Sequence, residues 1–403
     1  MALGNVPESL ALGLLQVADI VPFLWFAFSF RLSKSGRFFP NTIWFWLMFS
    51  FFCLFAFFST LFRGANWGVT MIHIGIMFRF VPLSYFIATL DRSEKMARIF
   101  TFHFKIISII LLLIGILEVV GGARMISFFT PVMLPKSDVS PILNLSPIKS
   151  IPGIFPNTID YAFFLVISYI FFINQNKPEN KLLPRLFLDL LYLFLLFATG
   201  SKAALLIALI ALFINVSDRK LIKILIVSVI VAASAFLIWL FWDLFYWIIF
   251  EDSLHSRLGM FVYTLPYFLK GCFLDAFFGI SPNKELVFRV INSLPEVPSM
   301  LKDIDAMGAF EDGFYVALIV YYGIVGFGLL VGMYYKLYKT LDNMVVPDNI
   351  MNSRFIIRSL FICLIIAPFF AQILITRPFS MFFWIIIGII YNLYKQHGAF
   401  SHI

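Results

Sequence analysis

Apolar stretches long enough to cross a bilayer recur from one end of this chain to the other, and nothing else constrains its fold as strongly. One of them, residues 42–62, carries no Asp, Glu, Lys or Arg. A spanning helix needs about 20 apolar residues, because it rises about 1.5 Å per residue through roughly 30 Å of hydrocarbon. Hydropathy places such stretches at 10–30, 42–62, 69–90, 99–120, 156–174, 186–200, 203–217, 221–248, 313–335, 355–375 and 379–394. They predict an all-α polytopic membrane protein of about 11 spans, with roughly ten to thirteen bounded by length, in a single transmembrane domain covering residues 1–403. Only 13% of the chain is charged, about half the share of a soluble domain, so a soluble fold is excluded. Its 52 Phe equally exclude disorder and a coiled coil.

The formal charge of +8 would suit a nucleic-acid partner in a soluble protein, but in a membrane protein Lys and Arg collect in the cytoplasmic loops. Consecutive spans alternate direction, which sorts the loops into two sets. One set holds seventeen of the 30 Lys and Arg, nearly all in short loops, from Arg31, Lys34 and Arg37 through to Lys395. The other holds eleven, eight of them in two long segments that the rule weights little. Arg79 and Lys105 fall inside spans. The richer set marks the cytoplasm, so the N-terminus is expected outside and the C-terminus inside, with no nucleic-acid partner. The opening MALGNVPESL lacks the basic stretch of a cleavable signal.

On this topology the two long segments, 121–155 and 249–312, are external. More than sixty residues between two spans predict a built structure rather than a connector. The aromatic stretch from His255 to Gly279 is broken by Pro266 and Gly271, which predicts short helices lying in the interface.

Several chemistries are excluded by inspection. There is no G-x-x-x-x-G-K-[ST] phosphate loop, no H-E-x-x-H and no paired Cys motif, so neither a metal nor another cofactor is expected. Cys53, Cys272 and Cys363 supply no disulfide framework. Gly326, Gly328 and Gly332 sit in an apolar helix, where small residues let helices approach closely. Asp303 and Asp305 form a D-x-D pair, of a kind common in polar loops.

The candidates that remain are charges in or beside the membrane. Arg79 lies about 15 Å into its span by helical rise, where a charge costs on the order of 3 kcal/mol and needs a partner or a polar cavity. Asp160 and Glu118 are the candidate partners, in a packing ion pair or a substrate cavity. Lys105 is close enough to a span end to snorkel. Lys202 follows a tight turn between two short spans, where Gly200 and Ser201 would offer backbone N–H groups to an anion at a helix N-terminus; contact with lipid headgroups is the alternative. Arg257 and Arg377 are expected at the same depth, and the three cations together would clamp a diphosphate.

Four stretches, GIFPN at Gly153 to Asn157, GSKAALL at Gly200 to Leu206, SRLGMFVYTLPYFLKGCFLDAFFGIS at Ser256 to Ser281 and EDGFYVALIVYYGIVGFGLL at Glu311 to Leu330, resemble in order the signatures of the O-antigen polymerase and ligase superfamily. The resemblance covers about residues 60 to 390. It implies a multi-span enzyme of the bacterial inner membrane that acts at the periplasmic face on undecaprenyl-diphosphate-linked oligosaccharide without metal or nucleotide. It also implies a chain-length regulator as partner. Lys202 stands where the family usually has Arg, keeping the charge but losing the bidentate fork. Glu311 and Asp312 stand where the ligases carry a His-Asn type start, which favours a polymerase. Family members commonly have both ends in the cytoplasm, unlike the topology counted above.

The chemistry so implied is attack by a sugar hydroxyl on an anomeric carbon as the lipid diphosphate leaves. Lys202 and Arg257, helped by Arg377 or Arg79, would stabilise the charge that grows on the diphosphate. Glu311, Asp312 or His255 would take the proton from the hydroxyl, with Glu311 favoured; the acidic pair would equally cap a helix N-terminus. Tyr263, Tyr267 and Phe310 would stack on sugars or pack against lipid. Two other readings stand: the O-antigen ligase, which uses lipid A core as acceptor, and a lipid-linked oligosaccharide flippase or other secondary transporter.

Overall fold

The computed structural model describes residues 43–90, 93–129, 151–155, 158–175, 182–215, 265, 268–269, 273–293, 314–344, 353–369, 374 and 377–398. Among them every regular element is helical. The helices are α1 (Ile43–Phe62), α2 (Trp67–Phe78), α3 (Val81–Thr89), α4 (Ser93–Gly121), α5 (Ala123–Phe129), α6 (Thr158–Gln175), α7 (Leu182–Ala198), α8 (Lys202–Asn215), α9 (Phe273–Phe278), α10 (Lys284–Ser293), α11 (Phe314–Asp342), α12 (Ser353–Ile366) and α13 (Arg377–Gly398). Four are long and apolar enough to cross a membrane, and α2 with α3 makes a fifth, bent by 43°. The chain is therefore a helical membrane protein. Helices stand at nine of the eleven expected stretches; 10–30 and 221–248 lie outside the described residues.

Two expected spans are not continuous helices. At 69–90 the chain breaks at Arg79 and Phe80, because Pro82 in the first turn of α3 has no N–H to carry the α2 ladder forward and its ring crowds the preceding turn. At 313–335 the break is Gly323, with φ 68° and ψ 178° inside α11, a backbone region essentially reserved for glycine. The bend is sharp. Tyr315 and Phe327 have ring centroids 5.6 Å apart, whereas twelve residues of straight helix would separate them by about 18 Å.

The helices differ in what surrounds them. From Asp160 to Ile173 every residue of α6 is buried, while α1 leaves Trp44, Phe51, Leu54 and Phe58 exposed and α4 does the same with Phe102, Ile110 and Leu113. α6 and α13 are thus central, and α1 and α4 present apolar faces outward, as lipid-facing helices do. α1 and α11 pack antiparallel, since Phe55 meets Gly326 and Met48 meets Gly332. Those two glycines serve close packing as expected, while Gly328 has nothing within 4 Å of its missing Cβ. α3 and α13 run side by side where Gly388 meets the Ser84 carbonyl, and Asn392 donates from Nδ2 to the carbonyls of Ile87 and Leu90 at 2.7 and 2.9 Å. Those carbonyls lie at the end of α3, where carbonyls outnumber helical donors; the Ile87 carbonyl also takes the Leu90 N–H at 3.3 Å.

Residues 151–155, the described end of the 121–155 segment expected to be external, are tied to one end of the bundle. The Gly153 N–H donates to Glu118 Oε2 at 2.9 Å, and the Ile151 N–H to the Ala198 carbonyl at 3.3 Å. α13 begins at this end too, with Phe379 6.0 Å from Phe163.

Candidate functional site

A second segment enters the bundle through the break in α11. After α9 the chain turns at Gly279 (φ +80°) and continues as non-helical backbone through Ser281. The N–H of Ile280 donates to the Val320 carbonyl at 2.8 Å, and that of Ser281 to the Tyr321 carbonyl at 3.1 Å. In a continuous helix those carbonyls would serve residues 324 and 325 across the position of Gly323. The inserted segment thus supplies donors where the break removes them, the condition for non-helical backbone inside a membrane protein. Ser281 itself has φ 118°, a strained conformation of the kind that collects at functional sites and costs on the order of 1–3 kcal/mol.

Polar side chains from α1, α2 and α11 converge on this segment. Ser59 Oγ donates to the Phe278 carbonyl at 2.6 Å. Thr60 and Thr70 share a hydrogen bond of 2.9 Å between hydroxyls, and Thr70 shares one of 3.2 Å with Ser281. Thr70 and His73 are three apart on α2, so they face the same way. His73 Nδ1 lies 2.6 Å from the hydroxyl of Tyr322, which is 1% exposed. At the rim, Arg63 forms an ion pair with Asp275 of α9. The cluster therefore runs from a partly exposed ion pair inward through four hydroxyl groups to an imidazole and a phenol. Each of these groups donates or accepts according to its partner, so the arrangement can orient hydroxyl-bearing groups and pass a proton between His73 and Tyr322.

The residues singled out by sequence are distributed differently. His255, Arg257, Glu311 and Asp312, with Asp303 and Asp305, lie outside the described residues. Lys202 is the first residue of α8 and Arg377 the first of α13, so their main chains share the end of the bundle where α6 begins. The two N–H groups expected to face an anion are already engaged: Gly200 donates to the Phe197 carbonyl at 3.0 Å and Ser201 to Thr199 Oγ1 at 3.3 Å. The Ser201 hydroxyl in turn accepts from Ala204, capping α8. Glu118 takes the Gly153 N–H rather than Arg79. Arg79 is 5% exposed at the α2–α3 break, its guanidinium carbon 4.9 Å from the centroid of the Phe80 ring. Asp160 is buried at the start of α6.

Short interfacial helices were expected from His255 to Gly279; of these residues, 265, 268–269 and 273–279 are described. α9 is a short helix there, and the chain that follows it is hydrogen-bonded to α1, α2 and α11 rather than lying apart from the bundle. Sequence reasoning missed the whole inner cluster, although Thr60, Thr70 and His73 were visible as polar breaks in apolar runs. No family model matches the chain, and no curated protein matches it.

Proposed function

We propose that this protein is a polysaccharide polymerase of the O-antigen type. It spans the bacterial inner membrane eleven times, with the N-terminus outside and the C-terminus in the cytoplasm. At the periplasmic face it moves a growing glycan from undecaprenyl diphosphate to a sugar hydroxyl of another lipid-linked repeat unit. The observation that carries this reading is the insertion of residues 279–281 into the broken α11, hydrogen-bonded at 2.8 and 3.1 Å. A long external segment anchored in the bundle and lined by hydroxyls, His73 and Tyr322 is a construction that a mere connector does not need.

In the reaction the acceptor hydroxyl forms a bond to the anomeric carbon as the bond from that carbon to the lipid diphosphate breaks. Lys202, Arg257 and Arg377 meet the negative charge gathering on the leaving diphosphate. Glu311, with Asp312 or His255 as the other acceptors, takes the hydroxyl proton. Arg79, buried at the α2–α3 break, serves the bundle in this scheme. The broken helices α2–α3 and α11 also suit a flippase, since transporters place such breaks at their binding sites.

Feeding the purified protein a lipid-diphosphate-linked repeat unit, with and without lipid A core, separates these readings: polymer is expected, conjugate to core means a ligase, and no product leaves transport. Lys202→Ala and Arg257→Ala are expected to abolish chain growth while the protein still accumulates in the membrane. Long-chain product of normal length from both would remove the cationic clamp, and full turnover by Glu311→Gln would move the base to Asp312 or His255.

A further inference from the structure

Between α11 and α12 lies a groove of about 570 Å³, within the size range of pockets that hold small-molecule ligands. Its walls are almost wholly apolar, with Leu330 and Val331 on one side and Phe361 and Ile365 on the other. It is open to the surroundings, since Val331, Tyr335 and Ile365 are each about half exposed. One end is closed by Tyr315, whose hydroxyl donates to the Ile365 carbonyl at 2.8 Å. The other end is charged. Arg358 lines it and pairs with Asp342 at 3.3 Å, and Lys339 holds its Nζ 5.8 Å from the centroid of the Tyr335 ring on the lip. α11 and α12 together carry four cations, Lys336, Lys339, Arg354 and Arg358, all exposed, against the single carboxylate of Asp342.

We infer that this groove binds one anionic phospholipid, an acyl chain between α11 and α12 and the phosphate on Arg354, Arg358 and Lys339. Length selects that occupant. From Phe327 to Tyr338 the α11 wall covers twelve residues, eleven steps or about 16 Å of helix, which matches one leaflet of a hydrocarbon layer about 30 Å thick. A polyprenyl carrier is several times longer and would meet the stop at Tyr315. Charge selects it too. Three cations beyond the one that Asp342 neutralises face the headgroup level, where each basic group attracts anionic lipid. The groove's cationic end is the C-terminal end of α11, away from residues 279–281, so this site does not depend on the polymerase reading.

The test is native mass spectrometry of the full chain in detergent with equal amounts of phosphatidylglycerol and phosphatidylcholine of the same acyl composition. The wild type is expected to retain one phosphatidylglycerol at about tenfold preference, which is what a little over 1 kcal/mol gives. The exposed pair of changes Arg354→Gln with Lys339→Gln is expected to erase the preference. Val331→Trp and Ile365→Trp fill the groove from opposite walls and are expected to lose the retained lipid of either kind. Equal retention of the two lipids by the wild type, or undiminished phosphatidylglycerol on the charge variant, overturns the proposal, and the charge variant decides even where a filled groove fails to fold. Displacement of the phospholipid by an equal amount of polyprenyl phosphate would also overturn it.

Discussion

Gly279 and Gly323 are seated against each other so closely that a Cβ on Gly279 would fall 2.5 Å from the Gly323 nitrogen, and one on Gly323 would strike the Phe277 carbonyl. Both have positive φ, +80° and +68°. The contact joins the end of α9 to the middle of α11, and it makes the broken helix and the inserted segment one structural unit. Neither glycine is there for flexibility; each is there because the other's backbone occupies the space of a side chain.

Gly323→Ala is expected to cost about 3 kcal/mol or more, combining a backbone region that L side chains avoid with a collision against backbone. Gly279→Ala should behave alike. Gly328→Ala is the control: nothing lies within 4 Å of its missing Cβ, so it should be neutral or stabilising by a few tenths to about 1 kcal/mol. Thermal unfolding of the three purified variants in one detergent reads the difference, and a Gly328 variant as unstable as the other two would show that the interlock is not the cause.

The bond between His73 and Tyr322 gives a second expectation. Tyr322→Phe keeps the buried ring, which packs edge-on to Phe52 at 4.9 Å, and removes only the hydroxyl. His73 then loses its partner at Nδ1, which is expected to cost about 1–3 kcal/mol. If the inner cluster serves the proposed transfer, product yield should fall further than the fraction of folded protein does. Yield and folded fraction falling in step would confine the pair to a structural role.

The positions of the helices were legible because a charge-free run such as 42–62 is a strong signal in any hydropathy scan. The bundle's interior was not. α6 and α1 are both largely apolar, yet α6 is enclosed from Asp160 to Ile173 and α1 is not, and hydropathy cannot separate a lipid neighbour from a protein one when both are hydrocarbon. The break at Gly323 lies just ahead of the series Gly326, Gly328 and Gly332, whose first and last members pack helices. Ile280 and Ser281 find Val320 and Tyr321 across about forty residues of sequence, and pairing at that range leaves no local periodicity to read. Glu118 was recognised as a polar residue at a helix end, but its partner turned out to be the main chain of Gly153 rather than a cation.

Arg63 and Asp275 suit a double-mutant cycle. Asp275 is nearly enclosed while Arg63 is about a third exposed, so Arg63→Ala should strand a buried carboxylate and cost about 2 kcal/mol, with Asp275→Ala costing less. The double variant should be no worse than Arg63→Ala alone, giving a coupling of about 1 kcal/mol or more. Additive losses in thermal unfolding would mean that the pair contributes nothing at the rim.

Asn392 provides the sharpest separation of packing from hydrogen bonding in the bundle. It is buried on α13 and gives both amide protons to the carbonyls of Ile87 and Leu90, which end α3. Asn392→Leu keeps the volume and loses both donors, so the Leu90 carbonyl loses its amide donor and the Ile87 carbonyl keeps the Leu90 N–H at 3.3 Å, and the expected loss is about 1–3 kcal/mol. Asn392→Asp is nearly isosteric with the native side chain, yet an ionised carboxylate only accepts, and it would point at two acceptors. The amide geometry therefore predicts an order of stability, native above Leu above Asp, whereas a role for Asn392 in shape alone predicts Asp above Leu. Hydrogen exchange should report the same defect locally, with the last turn of α3 around Thr89 and Leu90 exchanging faster in both variants while the antiparallel contact of α1 with α11 keeps its protection. An Asp variant as stable as the native protein near neutral pH would show that those two carbonyls find other donors.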